Sequence, residues 1–143
     1  MTPSLLIRHR LTVRFSDCDP LGHVNNAVYS TYLEQARFAL WRAQAGVELR
    51  RAARGEGREG FILARTEIDF RSEAHEGDEL EVRLMLDGFG RTSATYSYEV
   101  VDVPTGRLVA NAKSVQVWYD YQAKKPVVLS ADLRERLSKT VIL

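Results

Sequence analysis

The chain has 143 residues, enough for one domain with a full core and too few for two. It is 45% hydrophobic and 27% charged, and 20 Lys and Arg against 19 Asp and Glu leave a formal net charge of +1. That balance excludes the broad basic excess of a nonspecific nucleic-acid binder. The single cysteine, Cys18, excludes an internal disulfide and a thiolate-rich metal site, and it fits a reducing compartment.

The run Met1 to Arg8 has no charged segment followed by a long apolar one, so it does not read as a signal peptide. No stretch approaches the roughly 18 apolar residues that span a bilayer. The expected location is therefore cytoplasmic, with no membrane partner. Leu11, Val13 and Phe15 alternate with Thr12 and Arg14, which predicts a first strand. Ser16 to Gly22 is dense in turn formers. From about Asn25 the period changes. Val28, Tyr32, Ala36, Leu40 and Ala43 predict an amphipathic helix capped by Asn25 or Asn26 and stopped by Gly46.

Residues 47–60 read as an exposed connection rich in Arg, Glu and Gly. Ile62, Ala64, Thr66, Ile68 and Phe70 then alternate with Leu63, Arg65, Glu67 and Asp69, and Leu80, Val82, Leu84 and Leu86 with Glu81, Arg83, Met85 and Asp87. Asp87 to Gly90 predicts a turn, and Arg91 to about Val103 another strand. Pro104-Thr105-Gly106 leads back into a long strand ending near Tyr119, and Ser130 caps a short helix from Ala131 to Lys139. The order β-α-β-β-β-β-α with short turns predicts an α+β domain over the whole chain. One long helix covers one face of an antiparallel sheet, and alternation leaves the other face mixed, with Arg65, Glu67, Asp69 and Arg83.

The chemistry is concentrated in Asp17-Cys18-Asp19-Pro20-Leu21-Gly22-His23-Val24-Asn25-Asn26, just ahead of the main helix. Ordinary turn composition accounts for much of it. A helix start also presents unpaired N–H groups and a dipole that favours negative charge, which suits a developing oxyanion. A carboxylate a few residues upstream supplies a nucleophile or general base.

The run from Phe15 to Tyr29, followed by Tyr32-Leu33-Glu34-Gln35-Ala36-Arg37, resembles the signature of the 4-hydroxybenzoyl-CoA thioesterase family and of the related bacterial acyl-CoA thioester hydrolases. The similarity continues through Arg65 to Phe70 and Gly77 to Leu80. It implies a hotdog fold, a central helix wrapped by an antiparallel sheet. It also implies a homodimer or homotetramer with active sites at subunit interfaces, acting on acyl-CoA without a cofactor. The family's catalytic carboxylate falls on Asp19, with backbone amides around His23 and Val24 polarising the thioester carbonyl. Asp17 matches a structural position. Plant acyl-carrier-protein thioesterases share the His-Val-Asn-Asn run but have Asn where this chain has Leu21, which demotes His23 to a supporting role. Asn25, Thr66 and Arg91 are the substrate-binding candidates, with Ser93 beside them. Arg50, Arg51, Arg54 and Arg58 are candidate contacts for CoA phosphates or simply a solvated basic loop.

Other readings stay open on residues alone. Cys18 with His23 spells a thiol hydrolase, although a lone cysteine is more often packing. Asp17, Asp19 and His23 are metal-ligand types in a spacing that matches no established motif, so no metal is expected. Gly55 to Gly60 spells G-x-G-x-x-G but follows a helix and opens a strand, the reverse of a dinucleotide fingerprint. A hotdog dehydratase or a non-catalytic acyl-CoA binder is the alternative of a different class.

Overall fold

The computed structural model describes residues 3–44 and 58–141. The expectations placed on Arg50, Arg51, Arg54, Gly46 and Gly55 to Gly57 lie outside them. Strand β1 (Ser4–Thr12) leads through a single 3-10 turn (Phe15–Asp17) to helix α1 (Val28–Gln44). There follow β2 (Glu59–Phe70), β3 (Glu79–Phe89), β4 (Ser93–Asp102), β5 (Leu108–Asp120), the two-residue β6 (Lys125–Pro126) and helix α2 (Ala131–Leu137). The sheet runs β1-β3-β4-β5-β2, antiparallel throughout, with β6 on the end of β5. This is the α+β, hotdog arrangement, with one short strand more than expected. Among the described residues, no helix is long and apolar enough to cross a membrane.

Alternation puts Leu80, Val82 and Leu84 of β3, Ala94, Tyr96, Tyr98 and Val100 of β4, and Ala110 and Ala112 of β5 on the buried face. Tyr32, Leu33, Ala36 and Leu40 of α1 pack onto it. Each fully buried Leu or Val there is worth about 1.5–3 kcal/mol. The buried positions of α1 are Tyr29, Tyr32, Leu33, Ala36, Arg37, Leu40, Trp41 and Gln44, whereas Ala43 is exposed. Steps of four residues overshoot a turn of 3.6, so the expected stripe drifts off the core, and mixed steps of three and four follow it. Ser130 does cap α2, its Oγ accepting the Leu133 N–H at 3.1 Å. The side-chain amide of Gln44 ties the end of α1 to the carbonyls of Leu137 and Lys139, at 3.0 and 2.6 Å.

Three strands differ from the sequence reading, and each carries a bulge. β1 lies at Ser4–Thr12, because Leu6 bulges between Leu5 and Ile7 and both Leu6 and Ile7 are buried. No alternating pattern marks such a strand. Phe15, expected on that strand, is exposed in the 3-10 turn. In β2 the bulge falls at Ala64 and moves Phe61 and Leu63 onto the face that carries Thr66, Ile68 and Phe70. Ile62 and Ala64 therefore do not share that face. In β3 the bulge at Asp87 carries the strand on to Phe89, so the reversal comes at Gly90 to Thr92.

Candidate active site

Residues 17–26 form a closed loop whose geometry follows from turn chemistry. Pro20 and Gly22 suit a tight turn, and the Gly22 N–H reaches the Asp19 carbonyl at 2.9 Å. The Asp19 N–H donates to the His23 carbonyl at 3.0 Å, and Cys18 and Val24 form an antiparallel bridge. The Asp19 carboxylate accepts the Leu21 N–H through Oδ1 at 2.9 Å, which leaves Oδ2 without a partner among the described residues. Gly22 sits at φ +89° with open space where a Cβ would be. Gly22→Ala is thus expected to cost only about 1–2 kcal/mol of stability, from backbone strain alone. Activity should fall further than stability, because the turn that aims Asp19 must open. A thermal melt beside kcat/KM checks this, and equal losses in both would count against it.

Asp17 anchors the loop from below. It is 2% exposed and accepts the Arg14 backbone N–H at 3.0 Å, the Arg14 guanidinium at 2.9 and 3.2 Å, and the Tyr32 hydroxyl at 2.8 Å. Burial works to raise its carboxyl pKa, but these hydrogen bonds outweigh it and hold the group below the usual aspartate range. This is the structural position the resemblance implied. With its oxygens taken by Arg14 and Tyr32, Asp17 does not join Asp19 and His23 as a metal site. Among the described residues, no group of three or more His, Cys, Asp or Glu is arranged to hold a metal ion.

Asn25 caps the entrance to α1: its Oδ1 accepts the Ala27 N–H at 2.9 Å and its carbonyl the Val28 N–H at 2.9 Å. Its side-chain oxygen is thereby used by the turn. The Val24 N–H is also engaged, donating to the Ala74 carbonyl at 2.8 Å. The expectation that this amide polarises a carbonyl therefore fails in this geometry, because loop 71–78 closes over it. The N–H groups of His23 and Asn26 donate to nothing among the described residues.

Beside these amides lies a cleft of about 240 Å³ lined by His23, Val24, Asn26, Tyr29 and the segment Phe70 to Glu73. The His23 Nδ1 is 3.3 Å from the Val24 carbonyl. Tyr29, 3% exposed, packs edge-on against Phe70 at 5.3 Å. Burial pushes its phenol up to about 12, so it stays a hydrogen-bond donor at neutral pH. Tyr29 and the wall from Phe70 to Glu73 were not singled out as site residues. The wall arrives from the far end of β2 and is placed by the bond from Val24 to Ala74 and the packing of Tyr29 on Phe70.

The other sequence candidates lie elsewhere. Thr66 is on the helix-facing side of β2, opposite Ser114. Arg91 is exposed in the β3–β4 reversal, at the end of the sheet where Ser93 pairs with Val117. Phe70 is registered with Ala110 and so with Val100. Seven residues of β4 separate those rows, roughly 20 Å of strand, so Arg91 is not brought to the cleft. Arg58 is paired with Asp120 at 2.7 Å.

A helix wrapped by an antiparallel sheet, with a carboxylate-bearing turn and free amides at its start, is the arrangement of a hotdog thioesterase. The sequence profile of the Thioesterase-like superfamily matches residues 13–137, and the chain belongs to that superfamily. It is 28% identical to the long-chain acyl-CoA thioesterase FadM of Escherichia coli K12 over 132 residues, 92% of this chain and 97% of that one. It is 25% identical over 126 residues to the chloroplastic acyl-acyl carrier protein thioesterase ATL3 of Arabidopsis thaliana, and it spans 64% of that protein's length. The crystal structure of a Thermus thermophilus thioesterase, complexed with coenzyme A and Zn, superposes with a TM-score of 0.79 at 34% identity. That match covers 94% of this chain and 98% of the other.

Proposed function

We propose that this protein hydrolyses acyl-CoA thioesters to the free acid and CoA, with Asp19 as the catalytic carboxylate. The observation that carries the reading is the meeting of three features in one loop. The Asp19 carboxylate is fixed by its own turn, unpaired N–H groups lie on His23 and Asn26, and a cleft opens beside them. The thioester carbonyl docks on those amides, ahead of the start of α1, where the helix dipole favours an oxyanion. The acyl–sulfur bond breaks, water supplies the new acid oxygen, and the CoA sulfur leaves as thiol. Asp19 either attacks first to form an anhydride or activates the water. Support comes from FadM, an acyl-CoA thioesterase matched over nearly its whole length, and from the coenzyme A held by the Thermus relative.

The reading includes a homo-oligomer in the cytoplasm. β2 is a sheet edge, and Leu63 and Phe70 on its helix-facing side are 50% and 49% exposed. A second copy laid along that edge satisfies its open hydrogen bonds and covers both side chains. Purified protein mixed with a panel of acyl-CoAs and a thiol reagent tests the activity, and light scattering tests the assembly. Thiol release above the buffer rate is the expected result. Tight acyl-CoA binding with no release would replace the enzyme by a binding protein.

A further inference from the structure

Beneath α1 lies a cation that has no counter-ion among the described residues. Arg37 is 5% exposed, and among the described residues no carboxylate forms an ion pair with it. Its neighbours are neutral. Nη1 donates to the Tyr98 hydroxyl at 3.3 Å, and Nε donates to the Gln116 side-chain oxygen at 3.0 Å, whose amide in turn donates to the Val115 carbonyl at 3.2 Å. Tyr98 Oη is 2.5 Å from Ser114 Oγ. Across the strand pair from Ser114 stands Thr66, about 4.5–5.5 Å away between Cβ atoms, and its buried Oγ1 has no hydrogen-bond partner.

A buried guanidinium is costly unless an anion meets it, and an unsatisfied buried hydroxyl adds to that cost. Two observations meet in one place: the hydroxyl of Thr66 is buried without a partner among the described residues, and the guanidinium of Arg37 meets only neutral acceptors there. Leu63 and Phe70 bracket Thr66 on the same face of β2 and are half exposed in one protomer, so the second copy proposed along that edge closes this flank from outside, while α1 approaches β1 and β3 most closely. Arg37 stands eight residues along α1 from Tyr29, which lines the cleft, a rise of about 12 Å.

We infer that Arg37, with Thr66, receives an anionic oxygen at the far end of the acyl group, so that the preferred substrates are ω-carboxyacyl thioesters. The inference rests on the thioesterase reading. It adds that the substrate's own carboxylate supplies the missing counter-ion, in a bidentate or charge-assisted bond suited to a guanidinium.

Matched pairs test it: adipyl- with hexanoyl-CoA, suberyl- with octanoyl-CoA, sebacyl- with decanoyl-CoA. The expected result is a higher kcat/KM for the carboxylated member of at least one pair, by about tenfold to a hundredfold, the size of a charge-assisted hydrogen bond. In Arg37→Gln the ratio should fall toward one, and in Thr66→Val it should fall by a smaller factor. Preference for the uncarboxylated member in every pair, or a ratio that Arg37→Gln leaves unchanged, overturns the inference. If Arg37→Gln does not fold, the wild-type ratio and Thr66→Val decide. If no acyl-CoA is cleaved at all, the thioesterase reading fails separately. The site is then decided by binding: the free diacids protecting the wild type against thermal unfolding better than the monoacids supports it, and equal protection overturns it.

Discussion

Asp19→Asn is expected to lose about 10²- to 10⁴-fold in kcat, the usual contribution of a positioned acid–base group, with a far smaller change in KM. The variant isolates chemistry from structure. Among the described residues, the one hydrogen bond of the Asp19 side chain is the acceptance of the Leu21 N–H, and an Asn side-chain oxygen accepts it equally well. The Asp19–Gly22 turn and the Cys18–Val24 bridge run through backbone atoms and do not sense the change. Melting temperature should therefore stay near the wild-type value while turnover collapses. Cys18→Ser provides the contrast. Its sulfur only reaches the Arg14 carbonyl at 3.7 Å, a weak contact that a serine hydroxyl can keep, so activity should remain within a few-fold. A dead Cys18→Ser enzyme beside an active Asp19→Asn one would transfer the chemistry to the thiol. Single turnover in ¹⁸O-water then separates the two routes open to Asp19, since only direct attack places the label in its carboxylate.

The local parts of this site were legible because they are built from local chemistry. Asp-Pro-x-Gly is a turn by conformational preference, and Asn25 ahead of an apolar stripe is a cap, and both are found where the residues imply. The strand and helix types were legible for the same reason, since periods of 2 and of about 3.6 survive in sequence. Bulges do not survive. One extra residue at Leu6, Ala64 or Asp87 leaves the composition intact and moves every later side chain to the opposite face. That is why simple alternation places Leu63 on the face away from Thr66. Contacts made at long range were the other loss. The Val24 amide is free or occupied depending on Ala74, far along the chain, and the cleft wall from Phe70 to Glu73 is set by where β2 ends. Arg37 is the case that joins the two. Its place in the helix is plain, but a surface salt bridge and a buried cation with neutral partners look alike until Tyr98, Ser114 and Gln116 are seen around it.

Asp17→Ala is expected to be the most destabilising change in the loop, by about 3 kcal/mol, and its effect should depend on pH. Hydrogen bonds to a charged group are each worth about 1.5–3 kcal/mol, and removal of Asp17 strands the buried Tyr32 hydroxyl and the Arg14 backbone N–H together. Arg14 itself is largely exposed, so water recovers most of its side-chain loss and the sum stays well short of additive. For a domain of this size the change corresponds to roughly 6–12 °C in Tm. The folded-state pKa of Asp17 is depressed, so between the two values the unfolded chain binds the extra proton. The contribution of Asp17 is then fully present above its unfolded value of about 3.9 and is lost as pH falls through the lower folded one. Urea unfolding of both proteins at neutral pH and at several acidic values reads this directly. The gap between wild type and Asp17→Ala should be widest near neutrality and narrow below about pH 4. A gap that stays constant into acid would mean that Asp17 acts by shape alone, and the clamp that fixes the Asp19 turn would not be electrostatic.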